Sequence, residues 1–103
     1  APTRVRLTVT RDGATDVMLA PAPTPFDSPP RVVVATSPVS STDVFLCHKT
    51  TDRRVYDAHR AAHPDAFDVI LWNERGELTE STIGNLVLEV DGVRVTPART
   101  AGL

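Results

Sequence analysis

Apolar and polar residues alternate strictly at the start of the chain. Val5, Leu7 and Val9 interleave with Arg6, Thr8 and Thr10, the period of a half-buried strand. Asp12-Gly13 supplies turn residues, and Val17 with Leu19 form the expected returning strand of a hairpin. Five prolines between Ala20 and Pro30 remove too many backbone donors for a helix or a central strand, so that stretch reads as an extended connector. Arg31 to Ala35 is short, apolar and β-branched, the composition of a buried strand. A Ser/Thr/Pro loop follows, up to Asp43.

Beyond that loop the period changes. Val44 to His48 forms an apolar approach to Lys49. Thr50 or Thr51 is the expected cap of a helix running to about His63, with Val55, Ala58 and Ala62 on one face and Pro64 as the stop. Phe67 to Trp72 then reads as a strand, Glu74-Arg75-Gly76 as a tight turn and Glu77 to Glu80 as the partner strand. Leu86 to Val90, Asp91-Gly92 and Val93 to Val95 give the clearest hairpin signal in the chain. The fold class expected is α+β: antiparallel hairpins with one principal helix.

Composition narrows the function classes. A chain of 103 residues with 41% hydrophobic content is one globular unit at most and buries roughly two-thirds of its unfolded surface. A net charge of -2 and a pI of about 5.9, without a Lys/Arg cluster and with few aromatics, give no electrostatic footprint for nucleic acid or an anionic membrane surface. The single cysteine, Cys47, cannot form an internal disulfide, and no apolar run approaches the roughly 20 residues of a membrane span. The expectation is a cytoplasmic protein that takes a small-molecule substrate. The start at Ala1 and the end "VTPARTAGL" read as cut from something longer.

Two residue types carry candidate chemistry. Lys49 follows an apolar approach and precedes the expected helix, whose N-terminal dipole disfavours an ammonium. A neutral amine there suits Schiff-base chemistry with a carbonyl cofactor. Among the glutamates, Glu74 and Glu77 flank a turn and read as solvent-facing. Glu80 ends its strand at a bend where the side chain can be aimed inward, though spacing alone leaves it either inward or exposed. His48, His59 and His63 with Cys47 lack a closed metal-ligand spacing, so no metal site is expected. No nucleophile-elbow motif supports a Ser-His-Asp site.

The segments "FLCHKTTDRRVYDAH" and "DVILWNERGELTESTIGNLVLEVDGVRVTP" resemble the fold-type IV pyridoxal-phosphate enzymes, the group of branched-chain aminotransferases and 4-amino-4-deoxychorismate lyases. The pattern is most similar to the lyase domain fused behind aminodeoxychorismate synthase component I, where "HKTT-x-R" and "WNE-x-G-x-x-TE-x-x-x-x-N" recur nearly as here. The resemblance is strong over residues 43–103 and loose over 1–42. It implies that 1–42 holds an interdomain connector and first strands, and that 43–103 is part of the cofactor-binding large domain. It further implies that Lys49 carries pyridoxal 5'-phosphate as a Schiff base and that Glu80 hydrogen-bonds the pyridine nitrogen. Asn85 then braces the bend, and Arg53 lies near the cofactor. A homodimer is the implied assembly, with the synthase component as the implied fusion partner or associate.

Departures from the family pattern qualify these implications. Branched-chain aminotransferases carry Asn-Tyr four and five residues after the lysine; here Arg53 and Arg54 occupy those positions, and Tyr56 reads as packed rather than catalytic. The "Leu-x-Gly-x-x-Arg" stretch tied to phosphate binding is expected beyond Leu103, so the chain reads as a fragment of the enzyme, self-associating and weak in binding the cofactor alone. Three readings follow from the sequence: a fragment of an aminodeoxychorismate lyase, a fragment of a D-amino-acid or branched-chain type aminotransferase, or a non-catalytic module of the same fold.

Overall fold

The β-branched and alternating segments form strands, and the Gly-containing pairs turn them. A computed structural model describes residues 2–102. The architecture is α+β. In chain order it comprises strands β1 (Thr3–Val9), β2 (Thr15–Pro21) and β3 (Val32–Val34), helices α1 (Val44–Cys47) and α2 (Arg54–Ala62), strands β4 (Asp68–Trp72), β5 (Leu78–Ser81), β6 (Leu88–Val90) and β7 (Val93–Val95), and a 3₁₀ turn at Arg99–Ala101. Among the described residues the strands form three sheets: β1-β2, β3-β4-β5 and β6-β7.

The hairpins follow the turn chemistry. In β6-β7, Asp91 and Gly92 both have positive φ, 51° and 77°, the backbone that a two-residue turn with the right strand twist requires. The β1-β2 hairpin pairs Val5 with Leu19 and Leu7 with Val17, so these side chains share one face. That face is not half-buried as the alternation suggests: Val5, Leu7 and Leu19 are 62%, 61% and 66% exposed. The period of two fixes which residues share a face, and no other element among the described residues covers it.

The central sheet departs from all-antiparallel pairing. β3 runs parallel to β4, with Val33 opposite Val69, and the two are joined through α1 and α2 as a β-α-β crossover. β4 then pairs antiparallel with β5, with a bulge between Ile70 and Trp72. Of the expected buried strand, Val32 and Val34 are exposed, Val33 is half-buried, and the burial falls on Ala35. The core is Ala35, Val39, Leu46, Tyr56, Val69 and Leu71, with Val33, Val55 and Trp72 against it. The Trp72 indole N–H donates to the Ala35 carbonyl at 2.8 Å, which satisfies the polar edge of a ring set in this core.

Both helices differ from the periodicity reading. The apolar stretch before Lys49 is helical because the Asp43 side chain accepts from the Phe45 N–H at 2.9 Å, capping α1, and Leu46 is its buried residue. α2 starts at Arg54, not at Thr50 or Thr51. Thr50 Oγ1 accepts from the Asp52 N–H at 3.1 Å and Asp52 Oδ1 accepts from the Arg54 N–H at 3.2 Å, two local turns that compete with an earlier helix start. The helix ends at Ala62, ahead of Pro64. Its inward face carries Tyr56, flanked by half-buried Arg53 and Arg60, while Ala58 and Ala62 are exposed. Apolar spacing picked out Val55, which is half-buried against the core, and missed the rest because the helix also packs on polar groups.

Those groups centre on Asp68. It is 5% exposed, and its Oδ1 accepts from the Val69 N–H at 2.7 Å, the Thr82 N–H at 3.0 Å and the Thr82 hydroxyl. Arg60 lies 3.8 Å from the same oxygen and donates to Thr82 Oγ1 at 3.3 Å and to the Phe67 carbonyl at 3.1 Å. The Thr82 N–H also approaches the Val69 carbonyl at 3.1 Å. One buried carboxylate thus fastens the end of β5 to the start of β4 and, through Arg60, to α2.

Burial pushes the Asp68 carboxyl up, but donors from Ser81, Thr82 and the backbone outweigh it, so its pKa lies below the ordinary carboxylate value. A depressed folded-state pKa contributes stability that is present above the unfolded value and is lost as pH falls through the folded one. Asp68→Asn is therefore expected to lower the unfolding free energy at neutral pH by about 2 kcal/mol and to flatten the acid limb of stability against pH. Urea titrations of both proteins from neutral pH into the acid range measure this; parallel acid limbs would contradict it.

Candidate functional site

The residues singled out from the sequence meet at one cleft of about 600 Å³, lined by the loop after α1, the start of α2 and the bend after β5. A cleft of this size suits a cofactor-sized ligand. Lys49, Glu80, Asn85 and Arg53 all line it. Lys49 comes from the exposed loop between the helices, not from a helix N-terminus, so the dipole reading does not carry over. The physical setting of Lys49 is instead a solvent-open wall that also contains His48, Thr50 and Arg4.

Glu80 enters from β5 and is half-buried. Its Oε1 accepts from the Tyr56 hydroxyl at 2.6 Å. Tyr56 is 8% exposed, and burial first, then the hydrogen bond and charge of Glu80, push its phenol pKa above the ordinary value. The Arg53 guanidinium lies over the Tyr56 ring, 4.3 Å from the centroid, and donates to the Thr82 carbonyl. Arg53 lines the cleft, and its guanidinium is engaged with the protein.

The bend is braced by a residue other than the one expected. Ser81 Oγ donates to the Gly84 carbonyl at 2.9 Å and accepts from the Gly84 N–H at 3.0 Å. Asn85 is exposed at the rim of the cleft. A serine three residues before a glycine can close a turn on itself through its short side chain, which leaves the following asparagine amide free to face the cleft.

The motif around Trp72 has a structural logic of its own. Asn73 is fully buried; its Oδ1 accepts from the N–H groups of Arg75 and Glu77 at 2.9 and 3.0 Å, and its Nδ2 donates to the Ala101 carbonyl at 2.8 Å. Gly76, at φ 76°, completes the turn that this amide organises. Glu74 accepts from the Ser41 N–H at 2.8 Å and from its hydroxyl, and these hydrogen bonds bring its pKa down to about 2. Glu77 pairs with Arg75 at 2.9 Å. Glu74 and Glu77 serve the turn, and of the three glutamates only Glu80 reaches the cleft.

Sequence reasoning missed Arg4, Tyr56 as a partner of Glu80, and the Asp68-Thr82 anchor. Arg4 carries only the polar phase of an alternating strand, and the other two are polar residues in segments read for their apolar periodicity. The lining has three cationic side chains, Arg4, Lys49 and Arg53, against the Glu80 carboxylate, a balance suited to an anionic ligand. Among the described residues Lys49 has no ion-pair partner and Glu80 Oε2 accepts no hydrogen bond. An amine and one carboxylate oxygen, both unengaged on one cleft, fit a ligand with a carbonyl carbon and a protonated ring nitrogen. Among the described residues no helix is long and apolar enough to cross a membrane.

The sequence profile described as Amino-transferase class IV matches residues 1–103. A protein of Schizosaccharomyces pombe (strain 972), provisionally named as an aminodeoxychorismate lyase, is 30% identical over 105 residues, covering 97% of this chain and 46% of that protein. A crystal structure from Mesorhizobium loti, provisionally described as an amino-acid aminotransferase, superimposes with a TM-score of 0.83 at 34% identity, over 98% of this chain and 51% of that one. The chain spans about half the length of both.

If Arg53 stabilises the site wall through the Tyr56 ring and the Thr82 carbonyl, Arg53→Ala lowers the unfolding free energy by about 1–2 kcal/mol. Arg54→Ala, whose side chain is 83% exposed and paired with Asp52, is expected to cost less, because solvent screens an exposed ion pair. Equal losses for the two in urea denaturation would contradict the assignment.

Proposed function

The chain belongs to the amino-transferase class IV family, and on that premise we propose that it is part of a pyridoxal-phosphate-dependent aminodeoxychorismate lyase. The reaction is the conversion of 4-amino-4-deoxychorismate to 4-aminobenzoate and pyruvate, a step toward folate. The observation that carries the reading is the placement of Lys49 and Glu80 on one cleft, with Lys49 and one Glu80 oxygen unengaged among the described residues. Its lyase character is supported by the motif "HKTT-x-R", by Arg53 and Arg54 in place of an Asn-Tyr pair, and by likeness to the Schizosaccharomyces pombe protein named for that activity.

Pyridoxal phosphate supplies an electron sink conjugated to the substrate nitrogen. Lys49 would hold the cofactor through its amine, and the same amine, when free, would take up the proton from the substrate carbon that bears nitrogen. Glu80 would keep a proton on the cofactor's ring nitrogen, a role that needs a carboxylate rather than an amide. Arg4 contributes positive charge at the mouth of the cleft toward an anionic ligand. The proposal extends to a cytoplasmic homodimer, given one cysteine and the uncovered apolar face of the β1-β2 hairpin.

A second reading is an amino-acid aminotransferase, favoured by the Mesorhizobium loti structure at 34% identity. Product analysis with the intact protein separates the two. The lyase releases pyruvate and 4-aminobenzoate without an added keto acid, whereas the transaminase needs one as amino acceptor. Lys49→Ala is expected to abolish the borohydride-sensitive visible band of the tethered cofactor together with turnover. Glu80→Gln is expected to keep the cofactor bound and to lower turnover by a factor on the order of 10² or more. Pyruvate release by Lys49→Ala at near the original rate would refute the assignment.

A further inference from the structure

The phenol of Tyr56 is the one group that hydrogen-bonds the Glu80 carboxylate among the described residues, and neither the sequence motif nor the family resemblance assigns it a role. We propose that Tyr56 is a positioning residue: its hydroxyl fixes one oxygen of the Glu80 carboxylate and leaves the other to accept from the ring nitrogen, while Arg53 locks the phenol in place. This rests on the reading of Glu80 given above.

A glutamate side chain has three rotatable bonds, and a carboxylate that must meet one ring nitrogen loses efficiency whenever it rotates away. The contact of 2.6 Å at Oε1 removes that freedom. Tyr56 is 8% exposed, so water competes poorly for the contact. Its ring is held in turn from the face by Arg53, 4.3 Å from the centroid, and Arg53 is tied to the Thr82 carbonyl. Thr82 is 2% exposed and fastened to Asp68. The chain of contacts therefore runs from the buried centre of the fold to the reacting edge of the site.

The choice of donor is chemically informative. A guanidinium paired with Glu80 would neutralise the carboxylate and weaken its hold on a protonated ring nitrogen. A phenol fixes the geometry and adds no charge. The nearby cation is instead placed over the ring, and no ion pair between Arg53 and Glu80 forms among the described residues. The arrangement fixes Glu80 without pairing its carboxylate to a cation among the described residues.

Three measurements on the intact protein test this. In the cofactor-free protein, the phenol titration of ring-labelled Tyr56 followed by NMR is expected to move to lower pH in Glu80→Gln, since an anionic acceptor favours the protonated phenol. An unchanged titration overturns the proposal. In the loaded enzyme, Tyr56→Phe is expected to lower kcat about tenfold with KM within about twofold, the scale of one lost charged hydrogen bond. In the Glu80→Gln background the same substitution is expected to cost under about twofold further. Equal losses in both backgrounds mean a general structural effect and overturn the proposal, as does an unchanged kcat in Tyr56→Phe. Failure of the cofactor reading is recognised separately, because Lys49→Ala then keeps the visible band; that result overturns the role in turnover, while the cofactor-free titration still reports the hydrogen bond.

Discussion

A buried carboxylate with its charge satisfied is the constraint on which the site depends. Asp68 opens β4, and its Oδ1 collects donors from Val69 and Thr82. Taking a carboxylate out of water costs several kcal/mol unless donors replace the lost solvation. Here the Thr82 donors come from the segment that follows Glu80, so the requirement to satisfy Asp68 fixes where β5 ends. Without that anchor the bend at residues 81–84 would rest on the internal Ser81-Gly84 contacts and on the contacts of Thr82 with Arg53, Arg60 and the Val69 carbonyl.

The same requirement explains the polar inner face of α2. A nine-residue helix is marginal alone and takes its stability from what it packs against. What it meets is the Asp68-Thr82 pair and the Glu80 carboxylate, so Arg60, Arg53 and Tyr56 face inward in place of an aliphatic stripe. Each is amphipathic: the stems and the phenol ring cover core surface while the polar tips make the contacts. Packing and site geometry are met by the same three side chains.

The turn at residues 73–77 shows a division of labour among similar residues. Asn73 spends its amide on backbone groups and on the Ala101 carbonyl, and Glu74 and Glu77 bind Ser41, Asn73 and Arg75. A rigid turn sets the register of β5, and register decides which face each side chain reaches. Thr79 points into the core, and Glu80, next along the strand, points to the cleft. A slip of one residue would exchange them. The glutamate-rich motif is mostly scaffold, with one residue delivered to the chemistry.

Local chemistry was legible in the sequence by itself. Asp91-Gly92 dictated a hairpin, Pro64 bounded a helix, alternation placed β1 and β2, and the motif around Lys49 and Glu80 identified the family to which the whole chain belongs. These depend on dihedral preferences and short-range spacing, which a chain carries at every position. What covers a face, which polar atoms find partners and where a strand pairs depend on residues far apart in sequence. Only the tertiary structure could therefore place β3 parallel to β4, leave the apolar hairpin face uncovered, start α2 at Arg54, and bring Tyr56 across 24 residues to Glu80. Apolar periodicity reports where water is excluded, and it is silent where the excluded surface is itself polar and satisfied by hydrogen bonds.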